Sequence, residues 1–340
     1  MGRQAELQQL HGWLEKALNG ERPIVFITGE PGIGKTTVVE AFLTQLGARD
    51  WGLGASLPTS PHPQSLAPNT QHPTPFPWIG RGQCVEHYGV GEAYLPVLEA
   101  LGRLCREADG QDVIALLRQQ APSWLVQMPA VLSTAELEEL QRRTAGVTRE
   151  RMLRELAEAL EALTAERALI LRLEDLHWSD YSTLDLLSVL ARRQEAAQLL
   201  ILGTYRPVEV LTRDHPLKSV KQELQLHGQC EELALDFLSE GAVAEYLAVR
   251  FPVGAQHAAS LRSLAHLIHQ HTDGNPLFMV NVVNDLIAQG VLAKTNGAWE
   301  LRGEARERTL GTPVSLRQLI EQQVARYAAN QLCRRMGEKS

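Results

Sequence analysis

The sequence has no excess of basic charge. Lys and Arg number 33 against 40 Asp and Glu, a formal net charge of -7. A dedicated nucleic-acid binder needs a basic face to meet phosphate backbones, so direct nucleic-acid binding is not favoured. Aromatic residues are scarce at 5%, and cores must rest on Leu, Val, Ile and Ala. Cys84, Cys105, Cys230 and Cys333 lie far apart, without metal spacing or a CxxC pair. They read as buried or free thiols in a reducing compartment. No run approaches the ~18 apolar residues of a membrane span. The N-terminal MGRQAELQQL has no signal-peptide apolar core. The expectation is a cytoplasmic protein without membrane contact.

One stretch lacks charged side chains altogether. Residues 51–80 contain no Asp, Glu, Lys or Arg and hold seven of the 17 prolines. Pro, Ser, Thr and Gln dominate, which reads as a disordered Pro-rich insertion over 51–77. A Pro-rich docking segment is the alternative. Order resumes at WIGRGQC (78–84), read as a second strand.

Elsewhere strands and helices alternate. Leu7, Leu10, Leu14 and Leu18 mark a first helix. PIVFITG (23–29) is a short apolar run rich in β-branched residues, as expected of a parallel strand covered on both faces. A Gly-rich turn and a helix to about Leu46 follow. Residues 92–165 read as helical. LILRLED (169–175), QLLILGTYR (198–206) and a segment around Glu232–Leu235 supply further strands. From Ser239 the pattern becomes helical, near 239–250, 257–271, 276–289 and 314–327. An Asn-Gly turn at 296–297 pairs 291–294 with 296–301 as a hairpin. The fold class is therefore α/β, a P-loop NTPase-like three-layer α/β/α parallel sheet over 1–236, followed by a small helical lid domain over 237–340.

GEPGIGKTT (29–37) fits G-x-x-x-x-G-K-[ST] between a strand and a helix. Glycines let successive backbone N–H groups turn inward toward phosphate oxygens, and the helix N-terminus adds partial positive charge. Gly29, Glu30, Pro31, Gly32, Ile33, Gly34, Lys35, Thr36 and Thr37 are thus candidate ATP or ADP contacts. Lys35 would reach the β and γ phosphates, and the Thr36 hydroxyl would ligate Mg²⁺. Glu174 and Asp175 end the third strand. Glu174 would hold Mg²⁺ through water, and Asp175 would orient or deprotonate the attacking water. Thr204 and Arg206 follow the fourth strand, where an arginine can meet the γ-phosphate. Asp180 reads as a helix N-cap. His177 and Trp178 read as packing residues.

These motifs resemble the AAA+ ATPase domain of STAND-class signalling regulators, which is similar to origin-recognition-complex-type ATPases. Gly2-Arg3 with Glu6-Leu7 resembles the family's N-terminal element, which implies that Arg3 lines the adenine pocket. LEDLHWSD (173–180) resembles its Walker B strand and loop, and GTYRP places Thr204 and Arg206 at sensor positions. DGNPLF (273–278) resembles a lid motif whose proline, Pro276, packs against the nucleotide. The resemblance implies an ATP/ADP switch with slow hydrolysis, a homo-oligomer in the ATP state and a protein signalling partner. A DNA-associated ATPase and a nucleotide-stabilised interaction module without turnover are the alternatives. Arg192 and Arg193 are the only tempting pair for a subunit-contact arginine.

The chain also departs from the pattern. Arg172 interrupts the apolar run of the third strand on the face of Glu174, and must find a carboxylate or water. Glu174 stands where many P-loop proteins use Asp, and Tyr181 opens a helix where relatives often carry Pro. Both ends read as clipped, since winged-helix and repeat regions would follow residue 340.

Overall fold

The computed structural model describes residues 2–48, 76–86, 92–252, 258–295 and 298–301. The Pro-rich stretch 51–75 and the helix expected at 314–327 lie outside these residues.

The chain runs α1 (Gln4–Leu18), β1 (Ile24–Thr28), α2 (Lys35–Ala48), β2 (Trp78–Gln83) and α3 (Leu95–Leu104). It continues through α4 (Gly110–Gln120), α5 (Pro122–Leu125), α6 (Thr134–Thr144), α7 (Arg149–Leu163) and β3 (Leu169–Glu174). Then come α8 (Tyr181–Arg192), β4 (Leu199–Tyr205), α9 (Pro207–Thr212), α10 (Leu217–Leu226) and β5 (Glu231–Ala234). The described C-terminal part holds α11 (Glu240–Arg250), α12 (Ala258–Thr272), α13 (Pro276–Ala288) and the antiparallel pair β6 (Leu292–Thr295) and β7 (Ala298–Leu301). Helices α9 and α10 are additions to the sequence reading. The apolar side chains Leu217 and Leu224 bury one side of α10.

Five parallel strands form one sheet in the order β2-β3-β4-β1-β5. The three central strands β1, β3 and β4 are covered on both faces, which is why they read as near-continuous apolar runs, while the edge strands β2 and β5 keep exposed residues. Ile24, Phe26, Leu169, Leu171, Leu173, Leu199 and Ile201 share a core with α3, α4, α7, α8 and α10. The alternate residues Val25, Ile27, Ile170, Leu200 and Leu202 are equally buried on the opposite face. There Arg172 reaches Glu40 of α2, which places that helix over the second face.

Contacts divide the chain into two compact units. One comprises Ala5–Glu30 and Lys35–Leu235 and holds the sheet. The other groups residues 2–4 and Pro31–Gly34 with the described residues from Asp236 onward. Its core is built by Val243, Leu247, Phe251, Leu264, Ile268, Val283 and Leu286.

Parallel strands put all their carboxyl ends on one edge, so the turn after β1, the end of β3 and the end of β4 meet there. Gly203 in β4 makes this edge tight. A Cβ at Gly203 would lie 2.5 Å from the Leu176 Cδ1 atom.

Candidate functional site: the carboxyl edge of the sheet

The loop after β1 needs glycine for its shape. Gly29, Gly32 and Gly34 have φ of 148°, 78° and 96°, values that side-chain-bearing residues rarely adopt. Lys35 follows at the start of α2. Its Nζ donates to the carbonyl oxygens of Gly29 (2.8 Å) and Glu30 (3.1 Å) and is otherwise wrapped in protein. Burial pushes the ammonium down to about 8, with Arg206 adding repulsion, while Asp175 and Glu30 partly offset both. A buried cation held by neutral carbonyls is under-compensated, so an anion entering the loop is favoured. Thr36 and Thr37 stand exposed on the first turn of α2.

Asp175 follows β3 with a left-handed backbone, φ 56°. Aspartate tolerates this conformation better than most residues. Its backbone N–H donates to the Thr204 hydroxyl at 3.0 Å, so the fully buried Thr204 ties the ends of β3 and β4 together. Burial raises the Asp175 carboxyl above its ordinary value. Arg206 and Lys35 oppose that rise, and Glu174 reinforces it. Arg206 lies 3.9 Å from Glu209 and remains partly exposed. The structure therefore brings Lys35, Asp175, Thr204 and Arg206 together at one edge.

Glu174 is engaged differently. Arg172 donates to it at 2.7 Å (Nη2 to Oε2) and also to Glu40 of α2. Arg81 of β2 stands 3.8 Å from the same Glu40. The guanidinium anticipated as an intruder is thus satisfied by two carboxylates. Glu40 is the partner the sequence did not announce. The second oxygen of Glu174, Oε1, is buried without a hydrogen-bond partner.

The tip of the loop belongs to the other unit. Asn275 caps α13, accepting from the N–H of Leu277 at 3.0 Å, and donates through Nδ2 to the Pro31 carbonyl at 3.2 Å. The Leu277 N–H also reaches the Gly32 carbonyl at 3.2 Å. A Cβ at Gly32 would lie 2.7 Å from that of Leu277. Arg3 donates to the carbonyls of Ile33 (3.2 Å) and Asp236 (2.7 Å). Pro276 opens α13 at N1, where its missing N–H costs nothing. Asn275 and Leu277 were not singled out from sequence, although the Asn-Pro pair before an apolar run is a helix-start signal.

The neighbouring residues serve the scaffold. Asp180 accepts from the Thr183 N–H at 2.9 Å as the N-cap of α8, and from the Tyr94 N–H at 3.2 Å. His177 is buried with both ring nitrogens unpartnered, and burial holds it down to about 3, hence neutral. The Arg213 guanidinium stacks 3.9 Å over the Trp178 ring. Arg192 pairs with Glu223, and Arg193 with Glu161 and Glu195. Cys84, Cys105 and Cys230 are free thiols. Among the described residues no helix is long and apolar enough to cross a membrane.

A model of the AAA ATPase domain family matches residues 1–202. The chain belongs to the AAA ATPase domain family. Membership implies a nucleotide-binding module, and the glycine loop with its buried lysine is the part of this AAA ATPase domain suited to that role. Among solved structures it is similar to the Walker-type ATPase PABY2304 of Pyrococcus abyssi, with 15% identity and a TM-score of 0.49 over 98% of this chain and 75% of that one. No curated protein matches it.

Proposed function

We propose that this AAA ATPase domain is an ATP/ADP-dependent switch module with slow hydrolysis, acting in signalling or transcriptional regulation. The observation that carries the reading is Lys35, buried at the start of α2 with its Nζ on the Gly29 and Glu30 carbonyls of the glycine loop. Lys35 would exchange its two carbonyl partners for the β and γ phosphates. Arg206 would meet the γ-phosphate, so ATP and ADP would be distinguished beside Asp175. Thr204 fixes the Asp175 backbone, and the raised carboxyl is a better proton acceptor for an attacking water than an ordinary aspartate. Adenine recognition near Arg3 and a nucleotide contact at Pro276 belong to the same proposal.

The residues fit Mg²⁺ at one point. The orphaned Oε1 of Glu174 can accept from a metal-bound water, and Thr36 offers a hydroxyl. When bound, the ion would neutralise phosphate charge.

The carbonyls of Pro31 and Gly32 are held by Asn275 and Leu277 within their own unit. ATP-driven self-assembly is a further expectation of this reading. Protease protection of the full chain with ADP and with a non-hydrolysable ATP analogue tests it. Different cleavage patterns are expected. Identical patterns, with both nucleotides bound, would count against a switch.

A nucleotide-stabilised module without turnover is the second reading, favoured by the engagement of Glu174 with Arg172. A DNA-associated motor is not supported by Arg192 and Arg193, whose guanidinium groups are occupied by carboxylates.

A further inference from the structure

We propose that Arg172 is the resident counter-cation of Glu174 and competes with Mg²⁺ for that carboxylate, so nucleotide binds this chain with little help from the metal. The inference rests on the nucleotide-binding reading and adds its cation dependence.

Three observations carry it. First, Arg172 lies within β3 and is 7% exposed, so its charge cannot be left to water. Second, one oxygen of Glu174 is taken by Arg172 at 2.7 Å, and the other is buried with no partner. A carboxylate in that state gives a metal-bound water one oxygen at most, and the adjacent guanidinium repels the ion. Third, Glu40 is a second carboxylate on the same guanidinium and is itself 43% exposed at the side chain. If Glu174 turns toward a metal, Arg172 is not orphaned, because Glu40 still holds it. The trio Glu40–Arg172–Glu174 thus has two electrostatically acceptable arrangements, and the one observed leaves a metal-bound water only the buried Oε1 of Glu174.

The test uses the full chain and ADP as the probe, with affinity measured by calorimetry in excess Mg²⁺ and in excess chelator. Wild type should differ by less than about threefold between the two conditions, and Arg172→Val by about tenfold or more, since the freed carboxylate then recruits the ion. Arg172→Gln, which keeps donors but drops the charge, should behave like Arg172→Val and serves if the latter does not fold. Independently, paramagnetic resonance of Mn²⁺ titrated into the wild-type ADP complex should show no tighter Mn²⁺ binding than ADP alone.

Wild-type affinity that needs the metal by tenfold or more overturns the inference, as does tight Mn²⁺ uptake by the wild-type complex. A folded Arg172→Gln that loses ADP in both conditions also overturns it, and makes Arg172 a structural support. Wild type that binds no ADP in either condition removes the nucleotide reading itself. Lys35→Ala separates the two failures. Loss of ADP in Lys35→Ala alongside a strong metal requirement in wild type leaves the nucleotide reading standing and sinks only the role of Arg172.

Discussion

Lys35 and Arg172 are both cations more than nine-tenths buried in the sheet unit, and they are compensated in opposite ways. Lys35 touches two neutral carbonyls and is pushed down to about 8 by burial. Burial would push Arg172 down as well, but the hydrogen bonds it donates to Glu174 and Glu40 hold it above its ordinary value. Removing water from a charge is costly, and protein that leaves a charge half-answered has left room for a ligand. The loop is therefore poised for an anion. At the acidic strand end Glu174 is already paired from within, by Arg172.

The largest expected effect separates the two cations by ligand. Lys35→Ala should weaken ADP and ATP affinity by about 100-fold, ~2.7 kcal/mol, as for loss of charge-assisted hydrogen bonds. It should not lower the stability of the ligand-free fold, because the buried ammonium itself costs stability below about pH 8. Arg172→Val should do the reverse, costing about 2 kcal/mol in chemical denaturation because it strands Glu174. Calorimetric titration and urea melts measure both. If the two variants lose affinity equally, the contrast between the cations is false.

The second effect is a pH dependence of Lys35 alone. Its folded value near 8 lies below the 10.5 of the unfolded chain. Between those values the unfolded state holds more protons, so ligand-free stability rises with pH through that window. Nucleotide affinity runs the other way and falls above about 8, as the ammonium is lost. Both slopes should vanish in Lys35→Ala, with affinity and melts followed across that range.

Smaller effects probe what surrounds the loop and the strand. Asn275→Ala removes the cap of α13 and the partner of the Pro31 carbonyl, and should cost about 1 kcal/mol in thermal melts. Asn275→Asp should restore the capping share only. Arg192→Ala breaks an exposed pair with Glu223 and should change stability by less than about 0.5 kcal/mol. A larger loss there would show that carboxylate pairing matters as much on the surface as at Arg172.

How much of this was readable in advance follows from distance along the chain. The glycine turn after β1, the five strands and the Asp180 cap are local patterns, and each is where its spacing put it. Arg172 announced a need for a carboxylate because an apolar strand cannot hold a bare guanidinium. The nearer partner, Glu174, lies two residues away on the same strand face. Glu40 lies 132 residues away on another element, and nothing local marks it. The same holds for Asn275 and Pro31, 244 residues apart. Helix α9 spans six residues, too few for a periodicity to show, whereas α10 does carry Leu217, Val220 and Leu224 at helical spacing, a legible signal for that helix.

The glycine of β4 has a consequence for the history of this protein. A Cβ at Gly203 would fall 2.5 Å from Leu176 Cδ1, so a larger residue at 203 requires the Leu176 side chain to turn aside or to shrink. Where the side chain cannot turn, a descendant with alanine at 203 should carry a smaller residue at 176, and one that keeps leucine at 176 should keep glycine at 203. The shape after β3 would then be inherited as a pair of positions, and covariation of 203 with 176 across relatives would record it.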